Sequence, residues 1–291
     1  MRFVRIGERG REVPAVIDGA GTIRDISQDV KEINPDFLRA GGHRGFTAAT
    51  VEQYPKWQGA ARVGPCVSGV GKIVCVGLNY REHARESNMP IPTEPILFLK
   101  SPTAISGPHD DIIIPRGATK VDWEVELCVV MGAEARYVSE RVALEHVAGY
   151  CIINDVSERA FQLERGGQWD KGKGCDSFGP IGPWFVTADE IPDPQELDLW
   201  LEVNGQRRQR GHTGDMIFKV RHLIHYISQM MTLMPGDLIA TGTPSGIGMG
   251  ARPHPVYLRE GDEVRLGITG LGEQLQRVTS WDPCQAITAD P

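Results

Sequence analysis

Apolar positions along this chain recur mostly at a spacing of two, the period of a strand with one covered face. The densest run is Val121-Asp-Trp-Glu-Val-Glu-Leu-Cys-Val-Val130. Read as one strand, it sets Asp122, Glu124 and Glu126 on one face and Trp123, Val125 and Leu127 on the other. Further strands are predicted over Phe3–Ile6 and Val13–Ile17 as a hairpin, and over Lys72–Gly77, Pro95–Lys100 and Ile152–Val156. Leu197–Gln206 carries an Asn204-Gly205 turn that implies antiparallel pairing, and Leu238–Ala240 runs into a glycine-rich loop. Val256–Leu258, Glu263–Ile268 and Gln274–Val278 read as short closing strands.

Helical spacing is rarer. Val220–Leu233 places Val220, Leu223, Ile224, Ile227, Met230 and Met231 on one face, with His222 and His225 off it. Short helices are predicted near Asp36–Ala40, Ala48–Gln53 and Glu140–Val147, and Leu78–Met89 is polar and helix-compatible. Many short strands with a single long helix point to an α+β fold, mostly β, rolled or barrel-like. The turn-rich stretch Gly59–Pro65 divides a small N-terminal accessory unit, residues 1–66, from a catalytic unit, residues 67–291.

Composition narrows the partners. The 291 residues carry 24% charged side chains and a net charge of -7, which argues against a nucleic-acid partner held through phosphates. No apolar run reaches the length of a membrane span, and charges interrupt the first residues, so neither a membrane nor a signal peptide is expected and the cytoplasm is the expected location. Six cysteines, at 66, 75, 128, 151, 175 and 284, lack metal-binding spacing and read as reduced thiols.

The acids change the picture most. Carboxylates inside an apolar strand repel one another and lose hydration, so a cation is expected among them. Asp155, set in a second apolar run, supplies a third, and oxygen-only ligation suits Mg²⁺, Mn²⁺ or Ca²⁺ better than Zn²⁺. His83 and Glu86 stand three apart on one face of the segment after Gly77, close enough for the carboxylate to orient the imidazole in a segment able to close over a site. Lys100, at the end of its strand, could face the site, although a strand-end lysine is more often solvated. Arg159, Gln162, Lys171 and Lys173 follow Asp155 closely and are candidates to meet an organic acid. Lys-Gly-Lys-Gly lacks the spacing of a phosphate loop, so nucleotide binding is set aside.

The ordered set Gly77-Leu-Asn-Tyr-Arg-Glu-His83, Phe98-Leu-Lys100, Glu124-Val-Glu126, Asp155-x3-Arg159-x2-Gln162, Lys173 and Thr241-Gly-Thr-Pro-Ser-Gly246 resembles the fumarylacetoacetate hydrolase family over residues 72–278. That resemblance implies the family's fold, with Glu124, Glu126 and Asp155 holding Mg²⁺ or Mn²⁺ and Asp122 a neighbour that does not touch the metal. It also implies His83 and Glu86 as the water-activating pair and Lys173 as the oxyanion cation. Tyr80, Arg159, Gln162 and Thr243 would meet the substrate, and a homodimer or higher homo-oligomer is expected.

Within the family, the stretch from Asp155 to Gly174 is most similar to hydrolases of 2,4-diketo-3-deoxy sugar acids, the L-rhamnonate and L-fuconate derivatives, which would give pyruvate and an acid such as lactate. Polar Gln168 and Asp170 add to the picture of a hydroxylated tail. Ala160 departs from the acidic residue that many relatives carry after the arginine, which leaves the local partner of Arg159 open. Acylpyruvate or fumarylpyruvate hydrolysis, oxaloacetate decarboxylation and 2-hydroxyhepta-2,4-diene-1,7-dioate isomerisation fit the same scaffold. A metal-stabilised ligand-binding protein is the non-enzymatic alternative.

Overall fold

The computed structural model describes residues 1–59 and 62–282; Cys284 and part of the Gly59–Pro65 connection lie outside the described residues. Among these, strands dominate, and they form a ten-stranded mixed sheet, a five-stranded sheet and one small strand pair. This is the α+β, mostly-strand architecture that the alternation predicts.

Val125–Met131 lies near the middle of the large sheet, antiparallel to both Val147–Asn154 and Leu238–Ala240. Central strands of this kind are buried on both faces. Val125, Leu127, Val129 and Met131 pack toward the five-stranded sheet and the helix Val220–Ser228. Cys128 and Val130 face a second core that contains Phe3, Val16, Cys75, Cys151, Ile153 and Phe185. The hairpin Arg2–Ile6/Val13–Ile17 belongs to this sheet, because Arg2 and Phe3 pair with Val186 and Phe185 of the strand Gly179–Thr187.

Local outcomes differ from the sequence pattern at several points. The acidic run is two strands, Val121–Asp122 and Val125–Met131, and the break lets the Asp122 carboxylate accept from the Trp123 N–H at 2.9 Å. Glu140–His146 is a 3₁₀ helix, and the long helix stops at Ser228, leaving Met230 54% exposed. Val256–Leu258 joins no sheet, although Val256 and Leu258 donate to Gly248 and Val121 carbonyls. Asn204 and Gly205 both take positive φ, the geometry of a two-residue hairpin turn, between Asp198–Val203 and Gln206–His212. Cys66, Cys75, Cys128 and Cys151 are buried free thiols, and Cys175 is half-buried and free. No helix among the described residues is long and apolar enough to cross a membrane.

Candidate active site

The alternation that points Cys128 and Val130 into the second core carries Glu126, two residues back, to the end of the same face. There the core gives way to charge. Glu124 lies just outside the strand, and Asp155 just beyond the end of Val147–Asn154, where its N–H donates to the Glu124 carbonyl at 2.9 Å. Asn154 locks the corner by accepting from the Glu124 N–H at 3.1 Å and donating to Gln276. Carboxylate oxygens of Glu124, Glu126 and Asp155 thereby come within 4.8 Å of one another, all buried.

Cations from three other segments meet this cluster. Lys173 Nζ, on the short helix Asp170–Lys173, donates to Glu124 Oε2 at 2.7 Å and Asp155 Oδ2 at 2.8 Å. Arg159 donates to Glu124 Oε1 at 2.6 Å, to Asp122 Oδ2 at 2.9 Å and to Gln162 at 3.0 Å. The partner left open by Ala160 is thus Asp122, itself also held by the Gly248 and Met249 N–H groups. Lys100 is not solvated as its strand-end position suggested: Nζ is fully buried, 2.5 Å from Asp155 Oδ1 and 3.0 Å from the Val156 carbonyl. Its strand Ile96–Lys100 turns Phe98 and Lys100 to one buried side, which is the signal that could have found it.

Four carboxylates therefore share three cations, and the uncompensated one is Glu126. It accepts from the Gly242 N–H at 2.8 Å, and among the described residues no cationic side chain lies within ion-pair distance of it. Gly242 sits at φ +97°, where a Cβ would lie 2.6 Å from Asn79, so only glycine brings this N–H to bear. Burial, reinforced by Asp155 and Glu124, raises the Glu126 carboxyl well above the usual range. Burial also opposes ionisation of Glu124, but Lys173 and Arg159 outweigh it and hold that carboxyl well below the usual range. For Lys173 burial opposes the charge, yet Asp155 and Glu124 push it up to about 12. A buried, oxygen-only set whose one unpaired carboxyl ionises readily only beside a further positive charge fits a hard divalent cation.

His83 and Glu86 lie on the helix Arg81–Glu86, which is positioned by Asn79: its side-chain amide donates to the Phe218 and Thr241 carbonyls and accepts from the Phe218 N–H. His83 is buried, and its Nδ1 lies 3.6 Å from Glu86 Oε2 and makes no hydrogen bond. Glu86 accepts from the Gly246 N–H at 3.0 Å.

A cavity of about 250 Å³ brings His83, Glu124, Glu126, Arg159, Gln162 and Lys173 together. Thr243 also lines it, but its hydroxyl donates to the Val125 carbonyl and accepts from Gln209. Tyr80, Lys171, Gln168 and Asp170 do not line it. Tyr80 is buried with an unpartnered hydroxyl beside a different groove, Lys171 bonds the Arg165 carbonyl, and Asp170 accepts from the Leu99 N–H and from Gln168. Trp169, which strand or helix periodicity does not single out, does line the cavity. It packs edge-on to Phe98 at 5.4 Å and fills the space above Gly77, where a Cβ would lie 2.6 Å from the ring.

Residues 72–279 match the family described as fumarylacetoacetate (FAA) hydrolase C-terminal. A Burkholderia cenocepacia protein, provisionally designated a hydrolase, is 55% identical over 277 residues, covering 95% of this chain and 98% of its own length. Two solved structures share 97% of this chain and all of their own. Fumarylacetoacetate hydrolase from the psychrophile Exiguobacterium antarcticum is 36% identical with a TM-score of 0.85, and maleylpyruvate hydrolase from Sphingobium sp. SYK-6, in complex with manganese(II) and pyruvate, is 30% identical with a TM-score of 0.79. Hydrolysis and isomerisation both fall within what these likenesses support, and they leave the substrate open. From the strand order to the buried acidic triad, the chain belongs to the fumarylacetoacetate hydrolase family.

Proposed function

We propose that this enzyme hydrolyses the C3–C4 bond of a 2,4-diketo acid, releasing pyruvate and a second carboxylic acid. The observation that carries the proposal is the shared cavity: the buried His83 imidazole opens onto the same space as the Glu124 and Glu126 carboxylates and the Lys173 ammonium, and Asp155 lies beside those two carboxylates. Decarboxylation needs no activated water, so a base beside the acidic cluster favours hydrolysis. In this reading residues 67–291 carry the chemistry and residues 1–66 are accessory, since every lining side chain comes from the later segment. The finer substrate we propose is 2,4-diketo-3-deoxy-L-rhamnonate or its fuconate isomer, with lactate as the second product.

Glu124, Glu126 and Asp155 would hold Mg²⁺ or Mn²⁺, which supplies Lewis-acid polarisation of the substrate's 2-keto acid head. Arg159 and Gln162 orient that head. His83 Nε2 takes a proton from water, and Glu86, on the Nδ1 side of the ring, steadies the imidazolium. The hydroxide adds to C4, and Lys173, which stays protonated at neutral pH, faces the oxyanion. The C3–C4 bond then breaks with its electron pair passing to C3, and the proton held on His83 returns there to complete pyruvate.

The test is pyruvate release from the diketo sugar acid, acetylpyruvate, oxaloacetate and a hydroxylated dienedioate, run in H₂¹⁸O with Mg²⁺ or Mn²⁺. One solvent oxygen in the second acid is the expected result. Pyruvate from oxaloacetate alone, with no label in any acid, identifies a decarboxylase instead.

A further inference from the structure

Beyond the charged cluster, the cavity is walled by Leu78, Met89, Phe98, Leu163, Trp169 and Met249. Two of these are unusual for a cavity wall in being solvent-facing as well: Met89 is 47% exposed and Leu163 45% exposed. Met89 follows the His83 helix, and Leu163 ends the Arg159 helix, so the apolar rim is formed by the two segments that carry the candidate base and the candidate head-binding arginine. Trp169 is tied to the charged end in turn. Its carbonyl accepts from the Lys173 N–H at 3.1 Å, and Lys173 Nζ lies 5.0 Å from the centre of the Phe98 ring against which Trp169 packs.

Charge on this wall is absent in a way that matters for recognition. The cations that line the cavity, Arg159 and Lys173, are both already bonded to Asp122, Glu124 or Asp155. A second carboxylate on a substrate's tail would therefore leave water for an apolar surface without a cation to meet it. Unspent polar capacity is small once Gln162, whose Oε1 already accepts from Arg159, is given to the substrate's head. Ser87 lines the cavity with a buried hydroxyl that has no hydrogen-bond partner, whereas the Thr243 hydroxyl is committed to Val125.

Resting on the diketo acid reading above, we infer that the site selects an uncharged tail, one that lies on Trp169 and Leu163 and offers at most one hydroxyl, to Ser87. Substrates whose tail ends in a carboxylate are rejected by the wall, and polyhydroxylated tails find too few partners. A one-hydroxyl tail of the hydroxyethyl kind meets both demands, with the methyl on the indole and the hydroxyl on Ser87.

The experiment uses 2,4-dioxo acids that differ only in the tail, methyl, ethyl, 1-hydroxyethyl or 2-carboxyethyl, with Mn²⁺-loaded protein. Binding is measured calorimetrically in His83→Ala, where turnover is slow, and kcat/KM in the unmodified enzyme. The ethyl tail should bind about fourfold better than methyl, the worth of one buried methylene. The carboxyethyl tail should bind about a hundredfold more weakly than ethyl. Leu163→Arg supplies the missing cation and should shrink that ratio at least tenfold, and Trp169→Ala should flatten the methyl-to-ethyl step. Ser87→Ala should cost the hydroxyethyl tail about fivefold relative to ethyl. Tighter binding of the carboxyethyl tail, or a ratio that Leu163→Arg leaves unmoved, overturns the inference. If the binding order holds while no tail yields pyruvate, the tail site stands and the hydrolase reading falls.

Discussion

One face of one strand meets two different solvents in this molecule. At Cys128 and Val130 it looks into the core where Phe3 stacks on Phe185 at 5.8 Å and sits edge-on to Phe37 and Phe46. At Glu126, the next residue on that face, it looks into carboxylates and ammonium groups. Both halves are buried, but they are held by different physics. The apolar half is a sum of many small contacts, so losing part of one side chain costs a graded amount. The charged half is a set of pairings in which removing one member strands another inside the protein. Function is proposed in the second half because there an incomplete set of charged partners creates demand for a cation.

Breaking that incompleteness should have the largest effect. Glu126→Gln removes the carboxylate that lacks a cation, so activity with Mn²⁺ should fall by about a thousandfold or more, the scale of losing Lewis-acid assistance. The melting temperature of the chelated protein should hold or rise, since a carboxyl that burial and its acidic neighbours hold back from ionising has gone. Pyruvate assays and melts with and without EDTA read both quantities. A non-enzymatic, metal-stabilised binding protein would show no turnover of any diketo acid, and its melting temperature with Mn²⁺ would drop on the same change.

Next in size is a contrast between the halves. Lys100→Met strands the Asp155 carboxylate on one side and should destabilise by about 3–5 kcal/mol in urea titrations, although Lys100 does not line the cavity. Phe3→Leu, a change of shape in an apolar setting, should cost about 1 kcal/mol. Equal losses from the two changes would mean that the charged and apolar halves are held in the same way.

A smaller effect separates base from ligand. In His83→Ala, kcat should drop by about a hundredfold while calorimetric Mn²⁺ affinity stays within about twofold, because His83 stands outside the acidic triad. A large loss of metal affinity would instead assign His83 to the metal.

These contrasts also explain what could be seen in the sequence. The acidic cluster was legible because alternation and burial are both local properties, and Glu124, Glu126 and Asp155 interrupt runs that are otherwise apolar. Strand content was legible for the same reason, as was the Asn204-Gly205 turn. What escaped depended on partners distant in the chain. Lys100 is buried only because Asp155 and the Val156 carbonyl meet it, 55 and 56 residues on. Trp169 lines the cavity because Gly77 leaves room for its ring. Gln168 and Asp170 are as polar as a substrate-binding pair, yet they bond each other and the Leu99 N–H outside the cavity. The break at Trp123 and Glu124 follows from Asp122 turning to Arg159 and to the loop at Gly248, contacts that periodicity cannot express.

The smallest predicted effect probes the apolar half, through the one imidazole buried in its rim. His43 is 5% exposed, its Nδ1 has no hydrogen-bond partner, and its ring lies edge-on to Phe185 at 6.1 Å. Burial, with help from Arg44 and the N-terminal ammonium and against Asp189, pulls its pKa down from 6.5 to about 4. The folded chain therefore keeps His43 neutral at pH values where the unfolded chain protonates it. Stability from this group is complete above pH 6.5 and is lost as the pH falls toward about 4, with a slope below the one-proton limit of about 1.4 kcal/mol per pH unit. The raised Glu126 carboxyl and His109, which burial also pulls down, titrate alike in the unmodified protein and in His43→Gln, so the difference between the two over pH 6.5 to 5 isolates the His43 imidazole. Over that window the melting temperature of the unmodified protein should fall relative to that of His43→Gln, even if the variant starts lower. Parallel curves for the two proteins would mean that His43 gains a proton in the folded state as readily as in the unfolded one, and the apolar half would then be wetter at its rim than its packing implies.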